Sequence, residues 1–274
     1  MESENKVFLE CTYSESQIPF ERHFHNAYEL IFICGGAVRF EIGEFCYNAG
    51  PNTVLFISKL EEHNLRILNG FYRRYYIILS SSQLNRLIEE PKLKSIFISR
   101  PAGFRHMFDL SQYSNEINTL FSSMVNEYEH PESFSRYALT NLFGLMTLLC
   151  YRACEDQFRL PSKKFCRAVY DIQKYIDGHF SEEINLNDLA ARFYISPSYL
   201  SHAFREWTGI SPKQYIMRSR LAYAKELLIK TDLPVAVIAS RCGFNDVSNF
   251  IRSFRKEAYE TPLQYRLYVK NSYC

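Results

Sequence analysis

The C-terminal part of the chain repeats itself, and no other feature restricts the fold as much. Phe204, Arg205, Pro212, Gln214 and Tyr215 are matched fifty residues later by Phe254, Arg255, Pro262, Gln264 and Tyr265. Upstream, Leu189, Ala190 and Arg192 match Ile238, Ala239 and Arg241 at a spacing of forty-nine, so one residue is gained in the intervening turn. Each copy reads as a short helix, a turn of about four residues and a second helix with its core aromatic in the second half, which is a helix-turn-helix. The small Ala190 and Ala239 allow the two helices to approach closely, and a helix held out in this way fits a DNA major groove. A plain helical bundle with a duplicated hairpin is the competing reading.

Local punctuation agrees with the repeat. Asn185 is placed to cap a helix, with Asp188 three residues on as a short-armed capping box. Ser196-Pro197 and Ser211-Pro212 each put an N-cap hydroxyl before a proline at the first helical position, and Gly209 stands where a left-handed cap is wanted. With Pro234, Asp246 and Thr261-Pro262 as further starts, residues 163–274 read as seven short helices. Charge divides at the same place. Residues 1–162 carry 15 basic and 19 acidic side chains, whereas residues 163–274 carry 17 and 11. A basic region attracts polyanions, although an ordinary domain can carry this much charge.

Residues 20–80 read as short strands, rich in β-branched and aromatic residues and broken by Gly35-Gly36, Gly43 and Gly50-Pro51, which indicates a barrel or sandwich. Ser81 to Glu90 is expected to be a helix, and Lys92 to Gly103 irregular or strand-like. From Asp109 the apolar period becomes helical, ending at His130-Pro131, and a second helix from Ser133 to Asp156 is apolar nearly all round its middle. Such a helix must be covered, by its own domain or by a second copy of the chain, and both remain open. Leu160-Pro161-Ser162-Lys163 is the expected linker. At 47% hydrophobic residues the chain is too apolar to be disordered. The start, MESENKVFLE, lacks the apolar stretch of a signal peptide, and no segment has the length of uncharged apolar residues that spans a bilayer. The eight cysteines form no CxxC pair. A cytoplasmic protein with free thiols and no membrane partner is expected.

The segments LNDLAARFYISPSYLSHAFREWTGISPKQYI and VIASRCGFNDVSNFIRSFRKEAYETPLQYR resemble the double helix-turn-helix domain of the AraC/XylS family of transcriptional regulators. The resemblance implies a regulator, more often an activator, that binds double-stranded promoter DNA as a homodimer and works with RNA polymerase. It implies that Ser198, Ser201 and His202 face the bases from the first reading helix, and Ser248, Asn249 and Arg252 from the second. Arg suits guanine O6/N7 and Asn suits adenine N6/N7, so the second helix is expected to be the more specific reader. Arg205, Lys213, Arg255 and Lys256 are expected at phosphates; each also reads as an ordinary solvated charge. One departure is Tyr259, which stands where the family usually has glycine, so the turn there is strained or the helix ends differently.

Nearer the N-terminus, His23-x-His25-x3-Glu29 with a later His63 resembles the metal motif of cupins, small β-barrels in which such residues converge. Period two puts His23 and His25 on one strand face, as a chelating pair requires. The later cupin motif is altered here to Gly50-Pro51-Asn52. A full set of three histidines and a glutamate would suit a transition metal, and so an oxygenase or isomerase fused to a DNA-binding module. The reading adopted is a sensor, in which His23, His25, Glu29, Arg39 and His63 line a pocket for a sugar or other small metabolite, with no metal and no cofactor. No nucleophile elbow, phosphate loop or dinucleotide turn occurs, so no catalytic residue is assigned. The expected architecture is α+β and multidomain: a cupin-like effector barrel over 1–105, a helical dimerisation segment and linker over 106–162, and an all-α double helix-turn-helix domain over 163–274.

Overall fold

Alternating β-branched and aromatic residues form antiparallel strands in the first part of the computed structural model, which describes residues 9–100, 104–157 and 163–272. The strands are β1 (Glu10–Ser16), β2 (Phe20–His23), β3 (Tyr28–Ile42), β4 (Phe45–Ala49), β5 (Thr53–Ile57), β6 (His63–Leu79) and β7 (Met107–Asp109). Their order is β1-β6-β3-β5-β7, with β2 also on β6 and β4 also on β3. The long β3 and β6 pair along their length and bend where the register shifts between Ile33 and Val38, which folds the sheet over into a small cupin-like barrel. Gly36 makes the bend possible. It has φ 81°, and a Cβ there would lie 2.4 Å from the Phe71 carbonyl oxygen.

The same bulge reverses which residues face inward. Ile31 and Ile33 lie in the barrel core before it, and Val38, Phe40 and Ile42 after it. Arg39, expected in the pocket, is therefore outside: it is exposed and its Nε donates to Asn48 Oδ1 at 3.2 Å. A one-residue slip moves every later side chain to the other face.

Helices cover the sheet's other face. The helix expected over Ser81 to Glu90 is present as α1 (Ser81–Leu87), which starts on a reciprocal Ser80–Gln83 capping box. α2 (Pro91–Ile98) replaces the irregular segment expected at 92–103, because Pro91 sits in the first turn and the Glu90 side chain accepts the Lys92 amide. α3 (Ser114–Glu129) and α4 (Ser135–Ala153) pack on the barrel: the Phe121 ring lies 5.2 Å from Phe32 and 5.4 Å from Tyr75, and Phe143 lies 5.9 Å from Phe97. These helices, expected within a dimerisation segment and linker over 106–162, pack on the barrel, and the chain divides into two compact units, 1–160 and 161–274. On α4, Phe143, Met146 and Leu149 are buried while Tyr137 and Leu145 are exposed, as is Phe134 just before it. Cys150 and Cys154 are buried, and the Cys154 thiol, pushed up by burial to about 12, donates to the Cys150 carbonyl.

The second unit holds α5 (Lys163–His179), α6 (Leu186–Arg192), α7 (Pro197–Thr208), α8 (Pro212–Lys230), α9 (Val235–Arg241), α10 (Val247–Ala258) and α11 (Pro262–Ser272). The expected N-caps are in place: Asn185, Ser196, Ser211 and Asp246 each accept a first-turn amide. Asn185 takes the Asn187 amide at 2.8 Å. Among the described residues no helix is long and apolar enough to cross a membrane.

Candidate nucleic-acid interface and effector site

Each copy of the repeat builds its turn in the same way. The Ile195 amide donates to the Ala190 carbonyl and the Phe244 amide to the Ala239 carbonyl, both at 3.0 Å. Ala190 and Ala239 are buried, so α6 lies close against α7 and α9 against α10. The turn runs over 193–196 in the first copy and 242–246 in the second, which is where the extra residue sits. Behind the second helices, Phe204 meets Tyr215 at 5.3 Å and Phe254 meets Tyr265 at 5.6 Å, both edge to face.

These contacts fix which faces of α7 and α10 remain outward. Ser198, His202, Ser248, Asn249 and Arg252 are exposed and Ser201 is half-buried. Arg205, Lys213, Arg255 and Lys256 are exposed as well. On α10, Ser248, Ile251, Arg252, Arg255 and Lys256 line a shallow open concavity of about 540 Å³. Ile251 was not anticipated; it is half-buried, and only the three-dimensional surface reveals it. Arg252 Nη2 donates to Asn249 Oδ1 at 3.2 Å, one helical turn away. That bond ties the two exposed side chains together on one face of α10. On α7, the His202 ring faces Glu206 at 3.7 Å, an exposed pair of little energetic weight.

In the barrel, β2 and β6 pair His23 directly with His63, and His25 follows in the turn. Ligand atoms of the three imidazoles lie within 4.8 Å of one another. Glu29 enters from β3, nearly buried, with Oε2 3.1 Å from His25 Nε2 and 3.4 Å from His63 Nε2. Four of the five residues expected in the pocket are therefore together. Burial works to raise the Glu29 carboxyl, but the imidazoles of His25 and His63 that face it outweigh burial and hold the group well below the usual carboxylate range.

The outer nitrogens of these rings are already engaged: His25 Nδ1 faces the Ala27 carbonyl at 3.1 Å and His63 Nδ1 faces the Glu61 carbonyl at 2.9 Å. A neutral ring that donates from Nδ1 presents a bare lone pair at Nε2. Both Nε2 atoms face a carboxylate oxygen, so the cluster turns imidazole nitrogens and one anionic oxygen toward a common point where a cation would fit. His63 Nε2 is buried without a hydrogen bond of good geometry.

A second buried network, invisible in the sequence, adjoins this one. Glu61 takes Arg100 Nε at 2.8 Å and His106 Nε2 at 3.1 Å, and Tyr47 Oη meets His106 Nδ1 at 2.9 Å. Burial pushes the His106 ring below its ordinary range, whereas the Glu61 carboxyl, opposed by burial, is lowered by Arg100 and His106.

Comparison with known proteins matches both units. A description of the AraC-like ligand binding domain fits residues 10–144, and one of a helix-turn-helix domain fits residues 189–267. The chain is 27% identical over 256 residues to the HTH-type transcriptional activator RhaS of Enterobacter sp. (strain 638), and 24% identical over 256 residues to RhaS of Escherichia coli O6:H1. Each alignment covers 91% of this chain and 88% of the relative. A structure of ToxT from Vibrio cholerae shares the fold with TM-score 0.63 at 16% identity, over 94% of this chain and 98% of that one.

Proposed function

The chain belongs to the AraC/XylS family of transcriptional regulators, a sequence-specific DNA-binding protein that responds to a small-molecule effector, and from that premise we propose which residues do each part of the work. Arg252 and Asn249 read bases from α10, with Ser248 beside them; Ser198, Ser201 and His202 read more permissively from α7. Arg205, Lys213, Arg255 and Lys256 hold phosphates and set the register without reading sequence. The observation that carries this reading is the pair of outward helices built by one repeated sequence, each with polar residues at matching positions. The two helices are expected in successive major grooves about 10 bp apart on one face of the duplex. Footprinting tests this, and protection on opposite faces would contradict it.

The relatives named as activators support activation; RNA polymerase is then the partner that activation calls for, in the cytoplasm where promoter DNA lies. They are transcriptional regulators and not enzymes, and no catalysis is part of this reading. Dimerisation is assigned to the exposed apolar stripe of Phe134, Tyr137 and Leu145, because these side chains face solvent in the single chain. Leu145→Glu should give monomers at micromolar concentration in sedimentation, while Leu149→Glu, at a buried position, should unfold the unit instead.

The effector enters the barrel beside His23, His25, Glu29 and His63, and must bind two conformations of the protein unequally to alter DNA affinity. The buried His63 Nε2 without a hydrogen bond favours a second occupant of the same cluster: three imidazoles and a carboxylate fit a divalent transition cation. Such an ion would supply a fixed positive charge tying β2 to β6 through His23 and His63. Elemental analysis of protein purified without chelators decides between the two; stoichiometric metal lost in His25→Ala supports the ion.

A further inference from the structure

The barrel has a second polar feature on its inner face, away from the histidines. Strand alternation puts Tyr72, Arg74 and Tyr76 of β6 on one side, with Arg74 opposite Ile33 and Tyr76 opposite Ile31 of β3. Ile31, Ile33 and Tyr72 are barrel-core residues, so the Arg74 side chain belongs to the interior face. Its Cζ lies 5.0 Å from the ring centres of Tyr72 and Tyr76 and 5.6 Å from that of Phe20.

Three aromatic faces favour a cation, but they offer nothing to its N–H edge. Arg74 Nε is buried without a hydrogen-bond partner, and Nη1 has only a long 3.5 Å contact to Tyr72 Oη. Among the described residues Arg74 forms no ion pair with a carboxylate, which sets it apart from Arg100 on Glu61. Cations drawn out of water are ordinarily paired, and this half-buried one meets aromatic rings and, among the described residues, no carboxylate. Solvent still reaches this face, because Arg74, Tyr76 and the β1 residues Thr12 and Ser14 across from them are half-buried.

We propose that Arg74 is the anchor for the carboxylate of a small organic acid, which is the effector class of this barrel. The proposal rests on the sensor reading above and narrows it. The Nε and Nη edge of a guanidinium matches the two oxygens of a carboxylate, and the rings of Phe20, Tyr72 and Tyr76 partly shield the pair from water. Phe20 links this anchor to the histidine cluster, its ring lying 5.3 Å from His23 and 6.0 Å from His63. An acid held by Arg74 thus has its other end directed past Phe20 toward the imidazoles. A neutral sugar would leave the guanidinium charge uncompensated.

The test is calorimetric titration of the full chain with benzoate and D-galacturonate, each beside its neutral counterpart, benzamide and D-galactose. At least one acid should bind the wild type, with affinity reduced about tenfold or more in Arg74→Gln and less in Arg74→Lys, which keeps the charge but loses the paired edge. Circular dichroism establishes that the variants are folded; if Arg74→Gln is not, Arg74→Lys carries the comparison, and unchanged acid affinity in it overturns the proposal. Failure of the wild type to bind either acid, equal binding by a folded Arg74→Gln, or equal binding of the neutral counterpart also overturns it. A neutral sugar that binds independently of Arg74 and changes DNA affinity would remove the acid while leaving the sensor reading intact.

Discussion

The two helix-turn-helix copies place glycine and tyrosine at the same two backbone positions in opposite order. The first copy has Tyr194 in its turn at φ 55° and Gly209 after its second helix at φ 78°. The second has Gly243 in the turn at φ 81° and Tyr259 after the helix at φ 61°. Left-handed backbone is therefore required by the repeat itself, whichever residue occupies it. What decides the residue is the neighbourhood. A Cβ on Gly243 would lie 2.4 Å from the Ser181 carbonyl oxygen, whereas one on Gly209 would meet nothing within 4 Å. Tyr194 and Tyr259 are 96% and 68% exposed and so tolerate a large side chain. Only one of the four positions is closed to everything but glycine.

The largest expected effect tests whether the copies are equivalent in the core. Phe204 and Phe254 are both fully buried, so each Phe→Ala change should cost about 3 to 5 kcal/mol in chemical denaturation of the full chain. Loss of stability from one and not the other would break the equivalence.

Next come the glycines. Gly243→Ala combines positive φ with a backbone clash and is expected to cost on the order of 3 kcal/mol. Gly209→Ala has strain alone and should cost about 1 kcal/mol. Equal losses would show that Ser181 yields and that the closed position is not closed.

Reading DNA is where the copies should diverge. Arg252→Ala should cost roughly 1 to 3 kcal/mol on the best site and relax preference at one base pair. His202→Ala should change the selected sequences less, and Arg205→Ala should weaken all sequences alike. Selection from a random DNA pool compares the three. A profile altered more by His202→Ala than by Arg252→Ala would make the first helix the specific reader.

Much of the second unit was legible because its signals are local. Ser196-Pro197, Ser211-Pro212 and Asp246 lie within three residues of the amides they cap. Pro91 is a signal of the same kind and starts α2 in the segment expected to be irregular or strand-like. The barrel was legible as strands but not as an interior. Its phase depends on the bulge after Ile33, which has no sign in the sequence and puts Arg39 on the outer face. His23, His25 and Glu29 were recoverable since short spacing brings them together. The Tyr47–His106 bond joins residues 59 apart, and Arg74 matters only because of three rings from two strands. Neither has a local sign.

The smallest effect is the most direct reading of the exchanged pair. Tyr259 takes a conformation that costs an ordinary residue about 1 to 2 kcal/mol, and its exposed ring recovers little of that. Glycine removes the strain but adds freedom to the unfolded chain, which takes back part of the gain. Tyr259→Gly should therefore stabilise the protein by about 0.5 to 1 kcal/mol, and Tyr194→Gly, at the same backbone geometry and still more exposed, should do the same. Thermal or denaturant melts of the full chain read both. A loss of stability in Tyr259→Gly with unchanged DNA affinity would show that the ring packs in solution. If stability rises but DNA affinity falls, the tyrosine is kept for contact with the phosphate backbone at the end of α10, and the exchange between copies would be a division of labour and not a neutral swap.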